Sequence, residues 1–353
     1  MFTKEQVALR SNWEARIQKS GFNPEKWSEG QMIVLGKLPT SISQAISESL
    51  PKVVNKINAF FENADPELCP EYPGITRNEV YKAVAQSWAH QDFSLTVRMD
   101  FAVTKGGNLH LLAIKGDNLD STVGVARSAK AWYDHYYEGD VTHVSINHLA
   151  EHVASILKPY GKQATPPSFK DISVLSTRES SATYLADAVT KSSDLSLSKV
   201  GVAGLEALGD IEHEENIGSA VIKVDPWAKV LENAEEGSPW IEAFKTPRTF
   251  IMQPPWVLLL DEVLDFKEPV DEADIEFVLN IWMSDPGSSN TSPLVVASEY
   301  FPGYSFEEAM VMPFIMNTTD FKAQSEALQK AHEEELAEIA KKVKEGLQKP
   351  LEE

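Results

Sequence analysis

The sequence predicts a mixed α/β protein, on three observations. First, a run rich in β-formers, Phe93 to Val103, leads through the turn Lys105-Gly106-Gly107-Asn108 into a second such run, Leu109 to Ile114. That is the pattern of a hairpin. Second, the short apolar runs Ile172–Ser176 and Lys199–Ala203 flank a helix-type stretch, Ser181–Lys191. This spacing is that of a parallel βαβ unit with a right-handed crossover. Third, long stretches carry apolar residues at the helical period. In one of them Ile42, Ile46, Leu50, Val53, Val54, Ile57, Phe60 and Phe61 share a face.

In chain order, Phe2 to Ser20 is amphipathic through Val7, Trp13 and Ile17 and reads as a helix, which Gly21, Asn23 and Pro24 end. Pro39-Thr40-Ser41 opens the long helix, and Pro51 within it predicts a kink or a division into two helices. Residues 64–74 are turn-rich, and Asn78 to Trp88 reads as helix. After the hairpin come a helix carrying Val125, Ala129 and Trp132, and another from His143 to Lys158. Beyond the βαβ unit, Ser219–Val224, Thr249–Ile251 and Leu294–Ala297 read as strands. Asp320 to Gln348 is a charged, Ala-rich helix with an apolar stripe of Phe321, Leu328, Leu336, Ile339, Val343 and Leu347, and Pro350 ends it. The expected division is 1–160 (helices plus hairpin), 161–215 (βαβ unit), 216–318 and 319–353 (terminal helix).

Composition narrows the function. The chain has 353 residues, with 53 acidic side chains against 32 basic ones and a formal net charge of -21. At 42% hydrophobic and 9% aromatic it has the makeup of a folded chain and not of a disordered acidic one. The acid excess argues against nucleic acid, because phosphate contacts need clustered Lys and Arg. It argues equally against docking on anionic lipid. Cys69 is the one cysteine, so no intrachain disulfide and no Cys-based metal site forms. The start lacks an apolar signal core, and no apolar run approaches the roughly 20 residues that span a bilayer. A cytoplasmic protein, or one assembled there into a particle, is the expectation.

His148-Leu-Ala-Glu-His152 matches an inverted zinc-protease pattern, two imidazoles one turn apart with Glu151 as base. It is a five-residue match without a third ligand, and a surface helix with two histidines is the simpler reading. Arg98 and Asp100 alternate on one strand and so share a face, with Asp117, Asp120, Ser121 and Thr122 following. Such a charged pair suits a phosphate and a divalent cation, or else an ion-paired edge strand. There is no Walker loop, dinucleotide-binding glycine pattern or nucleophile elbow; Gly201, Gly204 and Gly209 lack the dinucleotide spacing. Trp227, Trp240, Trp256 and Trp282 read as packing anchors.

The order of segments carries a resemblance. Arg10-Ser-Asn-Trp13, Gly21-Phe22, Trp27, Ser87-Trp88, Arg98-Met-Asp-Phe101 and Asp117 come first. Ser176-Thr-Arg-Glu179, Thr183-Tyr-Leu185, Lys223-Val-Asp-Pro-Trp227, Trp240 and Pro255-Trp256 follow. Over roughly its first three quarters the chain resembles the synthetase domain of glutathionylspermidine synthases, an ATP-grasp family of carboxylate–amine ligases. The resemblance implies a pre-ATP-grasp/ATP-grasp-like scaffold, truncated late and ended by the terminal helix. It implies that Arg98 contacts the reacting phosphate, that Asp100 is a magnesium ligand and that Lys223 contacts ATP. The family's other two magnesium ligands, a Glu and an Asn, correspond to Ala113 and Lys115, which supply no ligand oxygen. The family's phosphate-covering glycine loop has no counterpart around Leu294–Pro302, where Ala297 stands near its expected lysine.

Phosphoryl transfer needs metal ions and preorganised donors, each such donor being worth about 3 kcal/mol. The expectation is therefore a degenerate ligase that binds no ATP or Mg²⁺ and serves binding or assembly. Its expected partners are proteins or its own copies, contacted through the helix 320–348, with neither nucleic acid nor membrane among them. The alternatives are an active ATP- and Mg²⁺-dependent C–N ligase, with Asp117 or Asp120 replacing lost ligands, and a structural component of a viral or other large particle.

Overall fold

A computed structural model describes residues 2–35, 40–63, 65–92, 94–117, 119–137, 143–144, 147–150, 153, 171–191, 199–210, 219–245, 250–251, 253–283, 295–300 and 310–317. The strands are β1 (Phe2–Gln6), β2 (Gln31–Leu35), β3 (Val97–Thr104), β4 (Leu109–Lys115), β5 (His143–Val144) and β6 (Asp171–Leu175). They continue as β7 (Lys199–Ala203), β8 (Ser219–Lys223), β9 (Phe250–Ile251), β10 (Ile275–Met283), β11 (Val295–Tyr300) and β12 (Met310–Asn317). The α-helices are α1 (Trp13–Lys19), α2 (Thr40–Asn63), α3 (Arg77–Ala89), α4 (Leu119–Tyr137), α5 (Glu179–Lys191), α6 (Trp227–Glu232), α7 (Pro239–Lys245) and α8 (Leu258–Glu262).

The strands make two sheets, so the α/β expectation holds. An eight-stranded mixed sheet runs β1-β2-β12-β11-β10-β3-β4, with β5 also on β12. A four-stranded parallel sheet runs β7-β6-β8-β9. The expected βαβ unit is β6–α5–β7. The hairpin is β3–β4, closed by Gly107, whose φ of +78° no β-branched residue would hold without strain.

The middle strands of the large sheet, β3 and β10, are buried on both faces. Met99, Phe101, Leu279 and Ile281 pack with the stripe of α2 and with Val80 and Val84 of α3. Trp282, Ala297 and Val311 face the other way, onto Val123, Ala126 and Trp132 of α4, in a core shared with α5 and the small sheet. Arg98 and Asp100 lie on this second face.

Several elements differ from expectation. Phe2–Gln6 is a strand, because its backbone pairs with β2 over five residues; the helix begins at Trp13. Pro51 lies inside one continuous helix. Its side is exposed, so the carbonyl it leaves without an N–H partner can turn to water. His143–Val144 pairs with β12 as a strand and does not begin a helix. The strands β2, β10 and β12 escaped the pattern reading. β10 is apolar on both faces, so it lacks the alternation that marks a half-buried strand.

From 216–318, β8 joins β6, while β10 joins the hairpin of 1–160. Glu151, His152 and the terminal helix 320–348 lie outside the described residues. Among the described residues no helix is long and apolar enough to cross a membrane.

Candidate functional site

The site begins with the alternation of β3. Val97, Met99 and Phe101 enter the α2/α3 core, so Arg98 and Asp100 project onto the opposite face. Each is flanked on both sides. Arg98 stands opposite Lys115 of β4 and Trp282 of β10; Asp100 stands opposite Ala113 and Asn280.

The structure brings Arg98 and Asp100 together, with Nη2 donating to Oδ2 at 2.8 Å. Asn280 Nδ2 donates to the other carboxylate oxygen of Asp100 at 2.9 Å. The guanidinium lies over the Trp282 ring, 5.7 Å from its centroid, a cation–π placement. Glu299 of β11, the strand beyond β10, adds a third charge near the pair. Burial pushes the Glu299 carboxyl up and Asp100 adds to this, against the pull of Arg98. Burial also opposes the Arg98 charge, but Asp100 and Glu299 outweigh it and raise its pKa.

Lys223 sits apart, at the end of β8. Its Nζ pairs with Asp117 Oδ1 at 2.8 Å, donates to the Asp225 carbonyl at 2.6 Å and lies 4.7 Å from the Trp227 ring centroid. The side chain is 0% exposed. Asp117 Oδ2 accepts the backbone N–H of Trp227, and Asp261 Oδ2 accepts those of Gly116 at 3.0 Å and Asp117 at 2.7 Å. Burial lowers the Lys223 pKa and raises that of Asp117; burial and the Asp117 charge together lift Asp261 to about 7. A phosphate would have to displace Asp117 to reach Lys223.

The acids expected to stand in as ligands are engaged elsewhere. Asp117 is held as described. Asp120 pairs with Arg178 at 3.0 Å and accepts from Ser181 Oγ at 3.0 Å. In the next loop Asp225 accepts from Thr177 N at 2.7 Å and Lys229 Nζ at 2.6 Å. The segment Ser176-Thr-Arg178 therefore binds its own loops together. Thr122 is buried on α4, and Ser121 lies beside it.

Other matched residues are framework. Arg10 and Glu29 form a buried ion pair, to which Trp27 Nε1 donates at 3.0 Å, while Trp132 Nε1 donates to the Glu29 carbonyl at 2.9 Å. Trp227, Trp240 and Trp256 are buried, each ring N–H donating to a backbone carbonyl, as anchors do.

Sequence reasoning missed Asn280 and Glu299. Asn280 is the one amide in the otherwise apolar run Phe277–Met283, and a lone polar residue in a doubly buried strand is a usable signal. Among the described residues no group of three or more His, Cys, Asp and Glu side chains is placed to hold a metal.

With this geometry in hand, a family model described as "Glutathionylspermidine synthase preATP-grasp" matches residues 4–263. No curated protein matched the chain.

Proposed function

The chain belongs to the glutathionylspermidine synthase family, and we propose that this member keeps the family's scaffold, has given up ATP-dependent ligation and works by binding other proteins. The observation that carries the reading is the register of the hairpin. Ala113 lies directly across from Asp100, and Lys115 directly across from Arg98. Mg²⁺ takes oxygen ligands in near-octahedral geometry. An alanine methyl offers none, and a lysine ammonium beside Arg98 repels the ion. The residues present do not fit the family's magnesium set, so no catalytic step is derived through it.

Three further observations support this. Asp117 and Asp120, the acids nearest in sequence, are committed to Lys223 and Arg178. Lys223 is wholly enclosed, which favours a structural role over a nucleotide contact. The net charge of -21 further disfavours approach of an anionic nucleotide.

The test is calorimetry with Mg-ATP together with a phosphate-release assay on peptide and amine substrates. We expect no saturable heat and no release above background; magnesium-dependent turnover refutes the reading. The binding role is tested by light scattering on the full chain and on a chain ending before Asp320. Loss of an oligomer on truncation supports self-assembly through that segment, and an unchanged monomer in both removes it.

A further inference from the structure

Among the described residues β4 is the end strand of the large sheet. An end strand offers its outward N–H and C=O groups to any other chain, and native sheets cover or blunt such edges. Here the cover is the segment 263–270, which runs between α8 and β10. Its Glu268 substitutes for a strand. The Glu268 N–H donates to the Leu111 carbonyl at 2.7 Å, and Glu268 Oε2 accepts the Leu111 N–H at 3.1 Å. One residue thus supplies both bonds that an antiparallel neighbour would give Leu111, the second through its side chain. Pro269, which has no N–H, follows it. β4 is irregular at the same place: Asp100 pairs with Ala113 but Phe101 with Leu111, so Leu112 bulges. A covering loop, a proline and a bulge together are the devices that keep an edge from pairing.

The ties that hold the cover are largely exposed. Lys52 of α2 pairs with Glu268 Oε1 at 2.7 Å, with the two side chains 58% and 31% exposed. Lys56, one turn further, donates to the Asp265 carbonyl and lies 5.2 Å from the Phe266 ring centroid. Phe266 is the one buried residue of the segment. Exposed ion pairs hold weakly, and salt weakens them further.

We propose that the segment 263–270 is a strap that shuts the β4 edge, with Glu268 as its latch, and that β4, once released, pairs with β4 of a second copy of this chain. The occupant follows from the strand's composition. The run Leu-His-Leu-Leu-Ala-Ile-Lys is largely apolar and holds no acid, Pro or Gly, the makeup of a self-pairing segment. In a chain with 53 acidic side chains, this edge escapes the like-charge repulsion that opposes association elsewhere. Two copies of one edge meet antiparallel about a two-fold axis. The proposal goes beyond the loss of ligation and needs no contact through 320–348.

The experiment uses the full chain, with amide hydrogen exchange of peptides spanning 109–115 read by mass spectrometry and the mass in solution by light scattering. In Glu268→Ala, exchange over β4 is expected to be about tenfold faster than in wild type at low protein concentration. As concentration rises, protection returns and the mass doubles relative to wild type, a comparison that cancels any assembly through 320–348. Asp134→Ala breaks an exposed ion pair of the same kind, with Lys130 on α4, and leaves both readings at wild type. Should Glu268→Ala not fold, Lys52→Met loosens the latch from its other side and keeps both Leu111 bonds. Its β4 exchanges faster than that of wild type by a smaller factor. Glu268→Ala with wild-type exchange, Glu268→Ala that exchanges faster without gaining mass, or Lys52→Met with wild-type exchange each overturns the proposal.

Discussion

Replacing Lys223 by Met keeps the length of the stem and removes the ammonium. The loss follows from the geometry: the pair with Asp117 is wholly buried, and Nζ also serves the Asp225 carbonyl. Without the ammonium, Asp117 keeps the Trp227 N–H but faces the charges of Asp261 and Asp225. Removing one partner of a buried pair costs about 3–5 kcal/mol. For a chain of this size that corresponds to a melting temperature lower by roughly 10 °C, at about 2–4 °C per kcal/mol.

Burial already pushes the Asp117 pKa up, so the orphaned acid relieves itself by taking up a proton. The penalty is therefore larger at pH 8 than at pH 5. Asp117→Asn combined with Lys223→Met removes the stranded charge and recovers more than half of the loss. The assay is urea unfolding followed by tryptophan fluorescence, for which Trp227 is placed 4.7 Å from the ammonium. A Lys223→Met protein within about 1 kcal/mol of wild type at pH 8 refutes the assignment of Lys223 as a structural cation.

Asp261 gives a second pH prediction. Its folded pKa of about 7 lies above the ordinary carboxyl value of 3.8. The fold thus favours the protonated acid; stability falls as pH rises from about 4 to about 7 and is level above that. Asp261→Asn removes this slope and is the more stable protein at pH 8; urea midpoints at pH 5 and pH 8 that move in parallel for both would speak against it. Thr76→Ala breaks the capping box with Glu79 at the start of α3 and costs about 1 kcal/mol, measured by chemical unfolding. Gly116→Ala places a methyl 2.7 Å from the Val257 carbonyl oxygen; backbone must move, at about 1–3 kcal/mol, and a variant as stable as wild type would show that the segment yields freely.

Much of this was legible in the chain. The hairpin could be read because its turn residues and β-formers are contiguous, and the parallel unit because its elements follow one another at short spacing. The α2 stripe showed because a helix with one buried face must repeat its apolar residues. Arg98 and Asp100 were readable as neighbours on one face from alternation alone. β10 was not, because burial on both faces erases alternation. β1 reads as helix in the sequence because its amphipathic pattern carries no trace of the distant partner that makes it a strand.

What the sequence determined by itself is therefore local: the element types in most places, the mixed class and the shared face of Arg98 and Asp100. What only the tertiary structure decided is who meets whom. Lys223 finds Asp117 across 106 positions, and Asn280 finds Asp100 across 180. Those encounters set Lys223 in an enclosed ion pair and an unnoticed amide against the Asp100 carboxylate. The physical reason is that short-range pattern fixes φ, ψ and facing, whereas the surroundings of a side chain depend on strand order. Here that order, set by sheet pairings between distant segments, places β10 and β11 beside β3.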